Sequence, residues 1–292
     1  MTIHVALNNV SLSYGQHVAL RNVTLALEAG KIYGLLGRNG AGKTSLLSLL
    51  ASYREPSEGM IRINGEIPFE NAAVMRDVVL VYDRKLDGET EKVRGMLEAV
   101  ERYRPNYDKA YADALVKRFN LPLDKAVNEL SKGQQSALHA TIGLSSRAPL
   151  TIFDEAYLGM DAPTREIFYQ ELLEDHGKHP RTIIISTHLV SEMDYLFEEV
   201  IVLHKGEIVL HEDYETIVSR GASVTGHAEA VDMYASGMKR LSEKQLGHTK
   251  SVMIYGQLGD EKRRDAGELG LEIGTVSLQD LFIHLTEEVD RA

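Results

Sequence analysis

Gly37-Arg38-Asn39-Gly40-Ala41-Gly42-Lys43-Thr44 decides the fold of this chain. The octet follows an apolar run, Ile32-Tyr33-Gly34-Leu35-Leu36, and opens a segment with helical apolar spacing, Ser45-Leu46-Leu47-Ser48-Leu49-Leu50. Strand, glycine loop and helix in that order are the context a phosphate-binding P-loop requires. The glycines let the loop curl until several backbone N–H groups face one anion. A helix that starts at Lys43 aims its unpaired N–H groups and the positive end of its dipole at the same point. Lys43 is then placed to reach the outer phosphates, and the Thr44 hydroxyl to take a position on Mg2+. The octet implies a nucleoside triphosphate site.

Working outward, residues 3–36 carry short strand signals. Residues 3–7 alternate, Asn8-Asn9 looks like a turn, residues 11–14 run into a second turn at Gly15-Gln16-His17, and residues 23–27 alternate well. By periodicity alone Tyr14 is a half-buried strand aromatic. Downstream, residues 60–65 alternate and end in Asn64-Gly65, a hairpin signal. Residues 78–82, 150–154 and 182–187 are continuous apolar or β-branched runs of the kind buried in a parallel sheet. Between the last two, Pro163 to about His176 reads as a crossover helix, so the class is α/β. From Asp83 to about Arg147 the texture is helical: Val93, Met96, Leu97 and Val100 share one face, and Tyr111, Leu115 and Phe119 follow at helical spacing. A further helix is expected from Ser131 towards Pro149, and residues 200–203 and 207–210 pair through the turn Lys205-Gly206. Beyond Glu215, residues 219–223 and 256–270 read as loops around a strand at 252–255. Ser277 caps a last helix, with Asp280 completing a capping box and Leu278, Leu281, Phe282 and Leu285 as its apolar face.

Composition narrows the function. The 292 residues are 43% apolar and 26% charged, the balance of a globular protein with ample core. A formal net charge of -11 argues against broad nucleic-acid binding, which leans on a basic face. With no cysteine, disulfides, thiolate zinc sites and cysteine nucleophiles are excluded. The N-terminus lacks the pattern of a signal peptide, and no apolar run approaches the ~20 residues that span a bilayer. If the protein serves a membrane, another chain is expected to cross it.

In a parallel α/β sheet ligands sit at the carboxyl ends of the strands. The octet, Asp154-Glu155 and His188 each follow a strand directly, so they can converge on one edge. Transfer of a phosphoryl group to water needs a phosphate cradle, a metal, an oriented water and charge stabilisation. Asp154, closing an apolar strand, is the candidate to hold Mg2+ through its water shell, and Glu155 the candidate to polarise the attacking water. His188 is the candidate contact to the outermost phosphate.

Leu130-Ser131-Lys132-Gly133-Gln134-Gln135 resembles the signature motif of ABC ATPases, commonly written LSGGQ. With the octet, Asp154-Glu155 and Thr187-His188, the order and spacing resemble an ABC nucleotide-binding domain over residues 1–215, with a helical subdomain at about 84–147. The resemblance implies a RecA-like parallel-sheet core, an N-terminal antiparallel β subdomain and ATP with Mg2+ as the bound pair. It makes Tyr14 the aromatic that stacks on adenine, Gly37, Arg38, Asn39, Gly40, Ala41, Gly42, Lys43, Thr44 and Ser45 the phosphate loop, and His188 the switch histidine. It also makes Leu158-Gly159-Met160-Asp161 the D-loop. By the same resemblance Ser131, Gly133, Gln134 and Asp161 serve nucleotide at the interface of a head-to-tail dimer, whose second ATPase subunit is identical or related. Residues 216–292 are left as a small α+β extension, regulatory or dimerising. Three positions depart from the family pattern: Asp83 stands where a metal-contacting Q-loop glutamine is expected, Ala156 replaces a proline, and Lys132 adds a charge near the partner's phosphates. Residues 276–286 are similar to the ending of ABC-2-type and bacitracin-type export ATPases. The resemblance therefore implies an ATPase subunit of an exporter, peripheral on the cytoplasmic face of the membrane through a separate permease. The alternative is a soluble single-domain ABC ATPase acting in an assembly process.

Overall fold

A computed structural model of the chain describes residues 3–83 and 88–291. Residues 84–87, where the helical subdomain was expected to begin, lie outside the described residues. The chain divides into two compact units, Met1–His188 with Tyr195–Leu210, and Leu189–Asp194 with His211–Ala292. Among the described residues no helix is long and apolar enough to cross a membrane.

In the first unit β1 (Val5–Tyr14) lies between β2 (His17–Leu27) and, later in the chain, β4 (Glu58–Ile63), antiparallel to both. The expected break at Asn8-Asn9 is instead a bulge inside one long strand. Asn9 takes φ 50°, and the pairing with β2 shifts register between Leu7 and Val10. An asparagine tolerates that left-handed backbone, so the strand bends without ending. The Asn64-Gly65 turn is present, both residues at positive φ, 52° and 83°.

The second sheet holds β3 (Ile32–Leu36), β5 (Val78–Tyr82), β6 (Leu150–Asp154), β7 (Thr182–Thr187), β8 (Glu199–His204) and β9 (Glu207–Asp213), in the order β5-β6-β7-β3-β8-β9. The first five are parallel, and β3, β6 and β7 are buried at every residue, which is why they read as unbroken apolar runs. A two-residue turn at Lys205 and Gly206, both at positive φ, returns the chain along β8 as β9. Helices α1 (Lys43–Leu50), α2 (Ala72–Met75), α3 (Val93–Tyr103), α4 (Lys109–Arg118), α5 (Lys132–Ser145) and α6 (Ala162–Lys178) complete this unit. The α3 face foreseen from spacing is inward at Val93 and Leu97, while Met96 and Val100 are half-buried.

The second unit begins one residue after His188, with α7 (Val190–Met193). After β9 come α8 (Tyr214–Arg220), β10 (Gly221–His227), α9 (Ala228–Tyr234), β11 (Arg240–Leu246), β12 (Thr249–Tyr255), α10 (Asp260–Glu268), β13 (Glu272–Thr275) and α11 (Leu278–Arg291). From β10 to β13 the order is β-α-β-β-α-β, with a four-stranded antiparallel sheet ordered β11-β12-β10-β13. This is the split βαβ, or ferredoxin-like, arrangement. Two expectations fail here. Residues 221–223 belong to a strand, and the stretch read as loop at 256–270 contains the nine-residue α10. Ser223 and Thr225 face away from the core formed by Ala222, Val224, Val252 and Ile254, so the strand's alternation is small and polar against small and apolar. Helix α10 has one buried residue, Ala266, and no apolar face to detect. Ser277 does cap α11: its hydroxyl accepts from the Asp280 N–H (3.1 Å) and donates to the Asp280 carboxylate (2.7 Å). The Ser191 N–H donates to Gln279 Oε1 (3.2 Å), tying the start of α7 to this last helix.

Candidate functional site

The loop from Gly37 to Gly42 joins β3 to α1, and its bend is set by Gly40 (φ 81°) and Gly42 (φ 106°). A Cβ on Gly42 would lie 2.7 Å from the Ala19 carbonyl, so that position admits no side chain. Gly42 caps α1 with no side-chain acceptor, which leaves the first N–H groups of the helix available to an anion. Lys43 is 6% exposed; its Nζ donates to the Gly37 carbonyl (2.8 Å) and sits 3.4 Å from Glu155 Oε1. A buried lysine ammonium is held here by a carbonyl and a carboxylate, and a phosphate oxygen can replace either.

Parallel register brings the acids to the same edge, with Tyr82 beside Asp154 and Asp154 beside Ser186. Ser186 ties the two acids together: its hydroxyl donates to Asp154 Oδ1 and accepts from the Glu155 N–H (3.1 Å). Glu155 adopts φ 49°, a left-handed conformation uncommon for glutamate, and this turns its carboxylate towards Lys43 and His188. His188 Nδ1 lies 3.1 Å from Glu155 Oε1. Beneath them the Tyr157 and Thr187 hydroxyls are hydrogen-bonded at 2.7 Å and buried, which locks the segment after β6 to the end of β7.

A cavity of about 500 Å3 lies at this edge. Its wall includes the loop from Asn39 to Ser45 together with Tyr14, Asp83, Asp154 and Glu155. Gly37 and Arg38 lie in the same loop but not on the wall, and His188 reaches the cavity only through Glu155. Three wall residues were not singled out as site residues in the sequence, His17, Ala19 and Tyr82, and Leu158 of the expected D-loop also reaches the wall. His17 had a signal, since it stands in the turn that directly follows Tyr14, and the structure pairs the two across it. The Thr44 hydroxyl and Asp154 carboxylate are hard oxygen donors of the kind that suits Mg2+. Among the described residues no cluster of three or more acids or histidines forms a metal cage.

Ser131, Gly133, Gln134 and Asp161 do not line the cavity. Ser131 and Gln134 form a reciprocal cap on α5, with the Gln134 N–H on Ser131 Oγ (3.3 Å) and the Ser131 N–H on Gln134 Oε1 (3.1 Å). A Cβ on Gly133 would lie 2.9 Å from the Gly159 carbonyl, so the signature turn and the 158–161 loop pack backbone to backbone. Asp161 caps α6, accepting from the Thr164 N–H (3.0 Å), and these hydrogen bonds hold its carboxyl below the usual aspartate range. Lys132, expected to add a charge near a partner's phosphates, is ion-paired with Asp83 of its own chain. On the helical side a smaller cavity of about 200 Å3 between β5, α3 and α5 is walled by Tyr53, Leu80, Met96, Val100 and Ile142 together with Arg104 and His139, a cleft of mixed polar and apolar lining.

A family model described as ABC transporter matches residues 20–158. ABC transporter ATP-binding protein NatA of Bacillus subtilis (strain 168) is 31% identical over 209 residues, covering 68% of this chain and 83% of the relative. Uncharacterized ABC transporter ATP-binding protein MJ1023 of Methanocaldococcus jannaschii is 30% identical over 285 residues, covering 96% of this chain and 98% of the relative. A solved dimeric structure of the ATP-binding cassette MJ0796, described as a post-hydrolysis state bound to ADP and Pi, superposes with a TM-score of 0.62. It covers 72% of this chain and 98% of that one at 21% identity, a likeness of fold.

Proposed function

This chain belongs to the ATP-binding subunits of ABC transporters, ATP hydrolases that act as pairs beside a separate membrane permease, and from that premise we propose how its residues divide the work. Lys43 and the N–H groups at the start of α1 hold the outer phosphates of ATP, and Tyr14 stacks on the adenine. Thr44 and Asp154 hold Mg2+, which neutralises charge on the phosphates. When the outermost phosphate takes Lys43, Glu155 is released from its ion pair and orients the attacking water, while His188 keeps its contact with the Oε1 atom that Lys43 leaves.

The observation that carries the dimer is the separation of two halves within one chain. The cavity holds the phosphate loop and the acids, while Ser131, Gly133, Gln134 and Asp161 lie off its wall on a capped helix start. A second subunit turned head to tail supplies them, so ATPase activity should rise faster than linearly with protein concentration. Specific activity that stays flat on dilution, with a monomer in solution, would refute this arrangement.

The cleft beside α3, with Met96 and Val100 next to Arg104 and His139, is where a helix of the permease docks. That contact places the chain on the cytoplasmic face of the membrane. Export is the direction we favour, supported by the likeness of residues 276–286 to export ATPases. The names of the matched relatives support a transporter subunit over a soluble assembly ATPase. Co-expression with the permease should recruit the chain to membranes, and Met96→Lys, which places a charge in the cleft, should weaken that recruitment.

A further inference from the structure

The Tyr14 ring has two faces, and only one is free for a base. Tyr14 forms part of the cavity wall, half-exposed at the end of β1, with its hydroxyl 3.3 Å from Ser45 Oγ. The Arg54 guanidinium lies over the ring, 4.7 Å from its centroid, and Arg54 is not part of the cavity wall. The cation therefore backs the ring on the side away from the nucleotide.

The backbone that carries Arg54 is fixed to the strand that carries Tyr14. The Ser57 N–H donates to the Ser11 carbonyl (2.8 Å), and the Ser13 N–H donates to Ser57 Oγ (3.0 Å). Ser52 turns the chain out of α1 at φ 59°. Among the described residues Arg54 makes no ion pair, so no carboxylate competes with the ring for its charge.

We infer that Arg54 is a positioning residue for the purine of ATP: it braces Tyr14 from behind, with Ser45 holding the hydroxyl edge. This rests on the stacking role proposed for Tyr14. A guanidinium against one face of a phenol ring draws the π density to that side and favours an electron-rich purine on the other. It also keeps the ring in one orientation before ATP arrives, which reduces the ordering cost of binding. Both effects act on affinity for the base and neither reaches the phosphates.

The test measures binding of Mg·ATP and of inorganic tripolyphosphate, which has no base, to the full-length chain and its variants. A cation–π contact at a partly exposed site is worth about 0.5–1 kcal/mol. Converted at about 1.4 kcal/mol per tenfold, Arg54→Met should weaken ATP about two- to fivefold. Tripolyphosphate binding should hold, and the loss should fall on KM rather than kcat. Arg54→Lys should recover part of the loss, and Arg54→Met should add nothing in a Tyr14→Leu background. If Tyr14→Leu weakens ATP but Arg54→Met does not, the brace is wrong and the stacking role stands. If Tyr14→Leu leaves ATP binding unchanged, the stacking role itself falls, and the brace with it. Equal losses for ATP and tripolyphosphate in Arg54→Met would place the residue in the phosphate site and overturn the inference.

Discussion

The two units solve the same packing problem with opposite economies. The first runs five parallel strands through a core closed on both faces, so its strand ends share one edge, where the glycine loop, Asp154 and Glu155 meet. The second uses a four-stranded antiparallel sheet with one face packed by Val224, Val231, Val252 and Ile254 and the other lined by Ser223, Thr225 and Ser251. Its turns alternate between the two ends of the sheet, so no edge gathers the chain's polar groups. Chemistry in this molecule follows from strand direction, and the two halves should respond to substitution in different ways.

Glu155→Gln tests the first half hardest. It keeps the shape and the hydrogen-bonding reach of the side chain but removes the proposed base, so hydrolysis should fall about a hundredfold or more. Mg·ATP binding should persist, because the cradle is built from the loop and Lys43. Turnover left intact in a steady-state assay would remove Glu155 from its role.

That edge was legible because its residues obey strict local rules. Glycines at forced backbone angles, strands buried at every residue and acids at strand ends each leave a mark at fixed spacing. What could not be read depended on contacts far apart in sequence. Ser186 looked like any strand serine, yet its hydroxyl joins Asp154 to Glu155. Arg54 sits 40 positions from Tyr14 and declared nothing. The bulge at Asn9 looked like a strand end because an asparagine pair marks a turn in most settings. The second unit was misread for a different reason: β10 alternates Ser, Thr and Gly with small apolar residues, and α10 buries a single alanine. Hydrophobic period is faint where the core is thin.

Val252→Ala probes that thin core. Val252 is fully buried at the centre of the sheet of the second unit, and truncating it should cost about 1–3 kcal/mol of stability, read as a lower denaturation midpoint. ATP affinity should be unchanged, since the residues of the nucleotide cavity all belong to the first unit. A matching loss of ATP affinity would break the contrast between the halves.

Alkaline pH offers a smaller, sign-specific effect. Burial raises the Tyr33 phenol from 10.0 to about 12, and its hydroxyl donates to the Glu28 carbonyl (3.0 Å). The folded state therefore holds the proton that the unfolded chain releases near pH 10. The resulting stability is complete below pH 10 and is lost as pH rises towards 12. Tyr33→Phe should lose about 1 kcal/mol at neutral pH with the hydrogen bond, and its stability should fall less steeply than the wild type's over that alkaline window. Parallel slopes in denaturant titrations at pH 9 and pH 11 would show that Tyr33 does not carry the effect.

The smallest expected effect concerns the pair that replaces two family residues at once, Asp83 and Lys132. Both side chains are about half exposed, 40% and 52%, and such a pair contributes about 1 kcal/mol or less. Asp83→Asn and Lys132→Gln should each shift the melting temperature only slightly, and raised salt should erase the difference. Activity separates two roles for the aspartate. If it serves mainly to hold the signature lysine, both single variants should alter ATPase turnover equally and the exchange Asp83→Lys with Lys132→Asp should restore it. If Asp83 instead turns to Mg2+ or its water once ATP is bound, Asp83→Asn should lose far more turnover than Lys132→Gln, and the exchange should not rescue it. The cavity wall includes Asp83 but not Lys132, so the second pattern is the one expected. Equal losses would return the pair to a purely structural brace between the end of β5 and the start of α5.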